Sequence, residues 1–227
     1  MLSKYLSIFD DLLNTGALER IQATWEEGGL LDPAWENVCA HMSAVAAIGM
    51  AIANLTGLEK PYRVVCAALI HDAGKRREIE AVKAVKVQNG DVAAEYDRQA
   101  KAQEDFLHNM GWPNDFIAAS QSVGHTSLQA FLEWEHLSDL CQIIHLADDL
   151  TAGSDFPDLA ERMANNRKRY PEIDQQGKSR YQLKGNTFDV QEQIARELLG
   201  YFAQVARLSE ESFYQKIVEK AKARLAS

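Results

Sequence analysis

At 227 residues the chain is long enough to bury a real hydrophobic core in one domain of generous size. Its 24 Lys+Arg against 33 Asp+Glu leave a formal net charge of −9, which argues against nucleic acid as a general partner, since phosphate backbones demand a basic surface. Cys39, Cys66 and Cys141 are widely separated, odd in number and set among apolar residues. Buried reduced thiols are expected from them, with no disulfide frame and no thiolate metal site.

In chain order, Leu2, Leu6, Phe9 and Leu13 recur at helical spacing, as do Leu18, Ile21 and Trp25. The opening segment lacks the basic start and apolar run of a signal peptide, so a cytoplasmic location is expected. Asp32-Pro33 marks a helix start, with Asp32 as cap and Pro33 in the first turn. The helix that follows places Val38, His41, Val45, Ile48 and Ile52 in one stripe before Gly57 stops it. Its longest apolar run, "AVAAIGMAIANL", is too short to span a bilayer, so no membrane partner is expected. A shorter helix from about Tyr62 ends in "IHDAGK", and another runs from about Val92 to Asn109. Further helices are expected over 114–123, 127–135, 137–151 and 156–168, then a long polar loop over 169–188 and two closing helices over 189–207 and 209–224. No alternating strand pattern stands out, and the expected fold is all-α.

Three separated segments each place a metal-capable side chain on a buried stripe. His41 lies three residues after Val38 and four before Val45, and His71-Asp72 follow Val64, Ala68 and Leu69 at helical intervals. In "LSDLCQIIHLADDL", Asp148 lies four residues after Ile144 and seven after Cys141, on the apolar face. Asp149 instead aligns with His145 and Gln142, on a more polar face, so periodicity selects Asp148 as the inward carboxylate. Burying two imidazoles and two carboxylates is costly without a strong partner. A divalent cation is such a partner, and nitrogen and oxygen ligands favour manganese, iron, cobalt, nickel or zinc.

The order His41, then His71-Asp72, then Asp148 in "IIHLADDL" resembles the HD superfamily of metal-dependent phosphohydrolases. The resemblance covers roughly residues 35–160. It implies a helical bundle with the metal held between helices by His41, His71, Asp72 and Asp148. The whole chain, 1–227, is then one HD-type domain, with N-terminal helices over 1–30 and additional C-terminal helices over 189–225 packed on its core. Two-metal branches of the family add two histidines before the last aspartate. His125 in "SVGHTSL" matches the second, but the stretch Gln99–Lys101, where the first belongs, has none, so one metal per chain is expected.

Lys75 matches the family's HD-x-GK lysine, suited to an anionic phosphoryl oxygen. Arg76 is a candidate substrate contact, and the run "RMANNRKRY" over 162–170 is a second basic segment that either reaches over the site or forms an exposed face. His136 and His145 are expected to be structural. The resemblance implies hydrolysis of a small phosphate ester or phosphoanhydride, such as a nucleotide, by water made more acidic by the cation. Asp72 would orient that water, Lys75 would offset charge on the phosphoryl group, and His125 would contact substrate or protonate the leaving group. Two alternatives are a diiron oxygenase, which needs a second metal, and a nucleotide-sensing module without turnover. The expected partner is a small phosphorylated molecule; homo-oligomerisation stays open.

Overall fold

The longest helix shows most directly how local chemistry sets the frame. Asp32 Oδ1 accepts the Ala34 N–H at 2.9 Å, and Pro33 opens a single 3-10 turn over Pro33–Trp35. That turn runs into a helix over Glu36–Thr56, which ends at Gly57 with φ +70°, its N–H on the Ala53 carbonyl at 2.8 Å. A left-handed residue there suits glycine, which has no Cβ to clash. The computed structural model describes residues 2–227, with side chains from Lys4 onward.

The α-helices are α1 (Leu2–Leu6), α2 (Thr15–Glu27), α3 (Glu36–Thr56), α4 (Pro61–Ile70), α5 (Lys75–Val87), α6 (Val92–Asn109) and α7 (Asn114–Ser120). They continue as α8 (Leu128–Phe131), α9 (Asp139–Asp149), α10 (Leu159–Arg169), α11 (Pro171–Gln175), α12 (Thr187–Val205) and α13 (Glu210–Leu225). Among the described residues there is no strand, only one isolated antiparallel bridge between Ala152 and Asp155. The fold is all-α.

Helix α3 is the central post, packed by α4, α9 and α13. Its surface is rich in Ala and Gly, so neighbours approach closely; a Cβ on Gly49 would stand 2.6 Å from Val64 Cγ1 of α4. One buried apolar cluster runs from Tyr5 through Trp25, Ile48, Leu69, Ile144 and Phe202 to Ala221. All three cysteines are free and buried. The 24-residue segment Pro33–Thr56 is long and apolar enough to cross a membrane by length and composition, contrary to the shorter apolar run considered above. Most of it is buried inside the protein, as befits a core helix.

Two parts of the expected layout change. Helix α5 is unforeseen: "KRREIEAVKAVKV" buries only Val82, so its apolar period is weak, and it is stabilised instead by spaced charges such as Arg76–Glu80. The 169–188 segment contains α11, and Ile173, Tyr181, Leu183 and Phe188 are buried. The Thr187 hydroxyl donates to the Ile173 carbonyl at 2.7 Å, and the Phe188 N–H donates to Asp174 Oδ1 at 3.0 Å.

Helix α2 braces the turn between α4 and α5. The buried Trp25 indole N–H donates to the Leu69 carbonyl at 2.6 Å, and Gly28 lies directly against the Ala73 carbonyl. From α5, Arg76 donates to the Gly29 carbonyl at 3.4 Å and Arg77 to the Glu27 carbonyl at 2.8 Å.

Candidate metal centre

The centre is assembled from three helices. His41 comes from α3, His71 and Asp72 from the turn just after α4, and Asp148 from the last turn of α9. Ligand atoms of His41, His71 and Asp148 all lie within 4.8 Å of one another. His41 Nε2 stands 2.9 Å and His71 Nε2 3.6 Å from the same oxygen, Asp148 Oδ1. Asp72 stands beside this trio, its Oδ2 3.9 Å from His71 Nε2 and its Oδ1 3.7 Å from Lys75 Nζ.

The orientation of both rings is set by the backbone. His71 Nδ1–H donates to the Ala68 carbonyl at 2.7 Å, and His41 Nδ1–H to the Gly153 carbonyl at 3.3 Å. Gly153 reaches that place because α9 ends at Asp149, capped by Leu150, and the chain reverses through the Ala152–Asp155 bridge, with Gly153 at φ +62°. Held this way from behind, both rings turn their Nε2 atoms into the cluster, the atom through which an imidazole offers a lone pair to a cation. His71 Nε2 is buried and has no hydrogen-bond partner. Two lone pairs converging on a carboxylate are the donor set of a divalent cation, with carbonyls fixing the rings from behind. The residues present therefore fit a metal.

The electrostatics agree. Burial opposes ionisation of Asp148, yet the His41 and His71 rings facing it hold its carboxyl well below the usual carboxylate range. Burial likewise opposes ionisation of Asp72, and the Lys75 and His71 charges outweigh it, keeping its pKa lowered. Burial would lower His71, but Asp72 and Asp148 raise it overall. The cluster therefore favours positive charge at its centre.

A family model described as HD domain matches residues 38–153, just over half of the chain. The chain belongs to the HD domain family. No curated protein and no solved structure matches it.

The HD centre opens into a cavity of about 290 Å³ lined by His41, His71, Asp72, Lys75, His125 and Asp148, among others. Lys75, the first residue of α5, donates to Glu78 at 2.9 Å. Burial disfavours its charge, but the Asp72 and Glu78 carboxylates raise its pKa well above the ordinary lysine value. His125 follows Gly124, which takes φ +72°, and its ring meets Tyr96 and Tyr181 edge-on at 5.2 and 5.3 Å between centroids. Burial, then the Lys75 charge, lower its pKa to about 4, so it is neutral near pH 7. Arg76 does not line the cavity; its guanidinium is engaged by the Gly29 carbonyl and Glu80.

Other wall residues escape a reading by apolar periodicity because they form polar stripes. Tyr96, Gln99 and Gln103 follow one face of α6. Gln103 also clamps the ligand turn, donating to the His71 carbonyl and accepting the Gly74 N–H at 3.2 Å. Glu78 and Ile79 continue the face that starts at Lys75. Arg162, Asn166 and Arg169, from the "RMANNRKRY" run, present one face of α10 to the cavity, so this run does reach the site. The spacings i, i+3, i+4 and i+7 of polar residues were the available signal.

Asp149 requires a correction. The more polar face it shares with His145 and Gln142 is not turned outward: Asp149 and His145 are each 1% exposed, and Gln142 is also buried. Its carboxyl is not part of the His41–His71–Asp148 group; it accepts from Gln191 of α12 and stands 3.4 Å from His145 Nε2. Burial, then the neighbouring Asp148 charge, push its pKa well above the carboxylate range.

Proposed function

We propose that this HD protein is a metal-dependent phosphohydrolase acting on a small phosphate ester or phosphoanhydride. The observation that carries the reading is the convergence of the His41 and His71 Nε2 lone pairs on Asp148, with Lys75 in the same cavity. A bound divalent cation supplies Lewis-acid polarisation of a phosphoryl oxygen and lowers the pKa of a water.

His41, His71 and Asp148 would hold that cation, with Asp72 at its side. Asp72, kept ionised, accepts a proton from the attacking water and orients it for in-line displacement at phosphorus. Lys75, kept charged, donates to a phosphoryl oxygen as negative charge builds there. For that it must leave Glu78, its 2.9 Å partner, at least in part. His125, neutral near pH 7, is suited to a hydrogen bond with the leaving group. The stretch 99–101, whose Gln99 and Ala100 line the cavity, has no imidazole where a two-metal site calls for a further one, which supports one metal and weighs against the diiron alternative.

The test is phosphate release from a panel of nucleotides and phosphate esters, each assayed with manganese, iron, cobalt, nickel and zinc. Metal-dependent release from at least one class is expected. No release with any metal, alongside melting shifts on adding nucleotide, would replace the reading with that of a sensing module.

A further inference from the structure

Arginines in this acidic chain are generally engaged by carboxylates. On α10 itself, Arg167 binds Asp189 at 2.6 Å and Glu192 at 3.2 Å, and nearby Arg180 binds Asp91 and Asp97 at 3.1 and 2.7 Å. The two α10 arginines that line the HD cavity differ. Neither Arg162 nor Arg169 forms an ion pair within 4 Å among the described residues, Asp149 acting on Arg162 only at longer range, and Arg162 Nε is buried with no hydrogen-bond partner. Between them sits Asn166, 8% exposed, on the same face. Arg169 lies over the Tyr170 ring, 5.1 Å from its centroid, which restricts the guanidinium without neutralising it.

Leaving a half-buried guanidinium without a directly paired anion is costly unless a ligand completes it. Arg162 and Arg169 are seven residues apart, about 10 Å along the helix at 1.5 Å per residue.

We propose that α10 forms a second anion subsite, so that the substrate carries two separated phosphates, one at the HD ligands and Lys75, the other at Arg162, Asn166 and Arg169. The inference rests on the phosphohydrolase reading for its first phosphate only. Helix α10 lies beyond the matched 38–153 segment, so the subsite belongs to this chain and not to the HD motif. A guanidinium–phosphate pair is bidentate and charge-assisted, and losing one hydrogen bond to a charged group costs about 1.5–3 kcal/mol, roughly tenfold or more in affinity.

The experiment is calorimetric titration of the metal-loaded full chain with a six-carbon alkane bisphosphonate and the matching monophosphonate, neither of which can be hydrolysed. The wild type should bind the bisphosphonate at least tenfold more tightly. Arg162→Gln and Arg169→Gln should each erase most of that preference, while Lys168→Gln, which removes an exposed charge of α10 outside the cavity, should leave it within twofold. Arg169 is exposed, so its variant tests the subsite even where Arg162→Gln folds poorly. Equal preference in wild type and both arginine variants, or an equal loss in Lys168→Gln, would overturn the subsite. Binding is read without turnover, so the two readings fail separately. Lost preference in the arginine variants without phosphate release from any substrate rejects the phosphohydrolase alone. Release from monophosphates with unchanged preference rejects the subsite alone.

Discussion

Replacing His145 by Gln should flatten the acid side of the stability profile. His145 is 1% exposed, stacks on Phe131 at 3.9 Å between centroids and donates through Nδ1–H to the Ser122 carbonyl at 2.6 Å. Burial lowers its pKa from 6.5 to about 4. Between those values the unfolded chain takes up a proton and the folded chain does not. The stabilisation is therefore complete above pH 6.5 and lost as pH falls toward 4. At about 1.4 kcal/mol per pKa unit, roughly 2.5 kcal/mol of it disappears between pH 7 and pH 4.5. Asp149, in contact with it, acts in the opposite sense. Its raised pKa keeps it protonated in the fold where the unfolded chain ionises, so its contribution is lost as pH rises past the ordinary carboxylate range. Comparing variant with wild type isolates the histidine. Urea denaturation of chelator-treated protein, followed by circular dichroism, should show the wild type's advantage over His145→Gln shrinking by roughly 2.5 kcal/mol from pH 7 to pH 4.5. An advantage that stays constant across the two pH values would refute the reasoning.

Elemental analysis of purified protein should find about one transition metal per chain; Asp148→Asn should lose it and Asp149→Asn should keep it, since only Asp148 shares its oxygen with both ligand histidines. Equal retention in the two variants would remove the basis for choosing between them. Lys75→Met should keep its metal and lose about two orders of magnitude in turnover, whereas His71→Ala should lose metal and turnover together; wild-type turnover in Lys75→Met would reduce the lysine to a partner of Glu78. Gly28→Ala should destabilise by roughly 1–3 kcal/mol in urea, because the new methyl collides with the Ala73 carbonyl, and an unchanged midpoint would contradict the tight contact.

Features governed by local chemistry were legible in the sequence. The cap at Asp32, the proline after it and the stop at Gly57 bound the central helix because each acts within a few residues of itself. The clustering of His41, His71 and Asp148 was legible for the same reason: each sits at a helical phase that apolar neighbours reveal. Periodicity picked Asp148, but the companion inference about Asp149 failed. A buried face need not be apolar when Gln191 and His145, distant in sequence or one turn away, can satisfy it. Helix α5 and the cavity face of α10 were hidden because charged residues cover them, and the sequence alone does not separate solvent from a polar cavity. Arg76 illustrates the converse. Adjacency to the motif suggested a substrate contact, but the helical turn after Gly74 carries its side chain toward Gly29.

The bracing of the α4–α5 turn by α2 bears on what the smallest working unit is. The matched segment begins at residue 38, yet the Leu69 carbonyl is met by Trp25, and the backbone at Ala73 rests on Gly28. A chain trimmed to the motif would leave that carbonyl without its indole donor and expose apolar surface now covered by Ile21, Trp25 and Leu30, all fully buried. His71 and Asp72 sit between those two points of support. Helix α2 thus acts as a splint, and the accuracy with which the imidazole and carboxylate face the candidate metal site is inherited from residues outside that site.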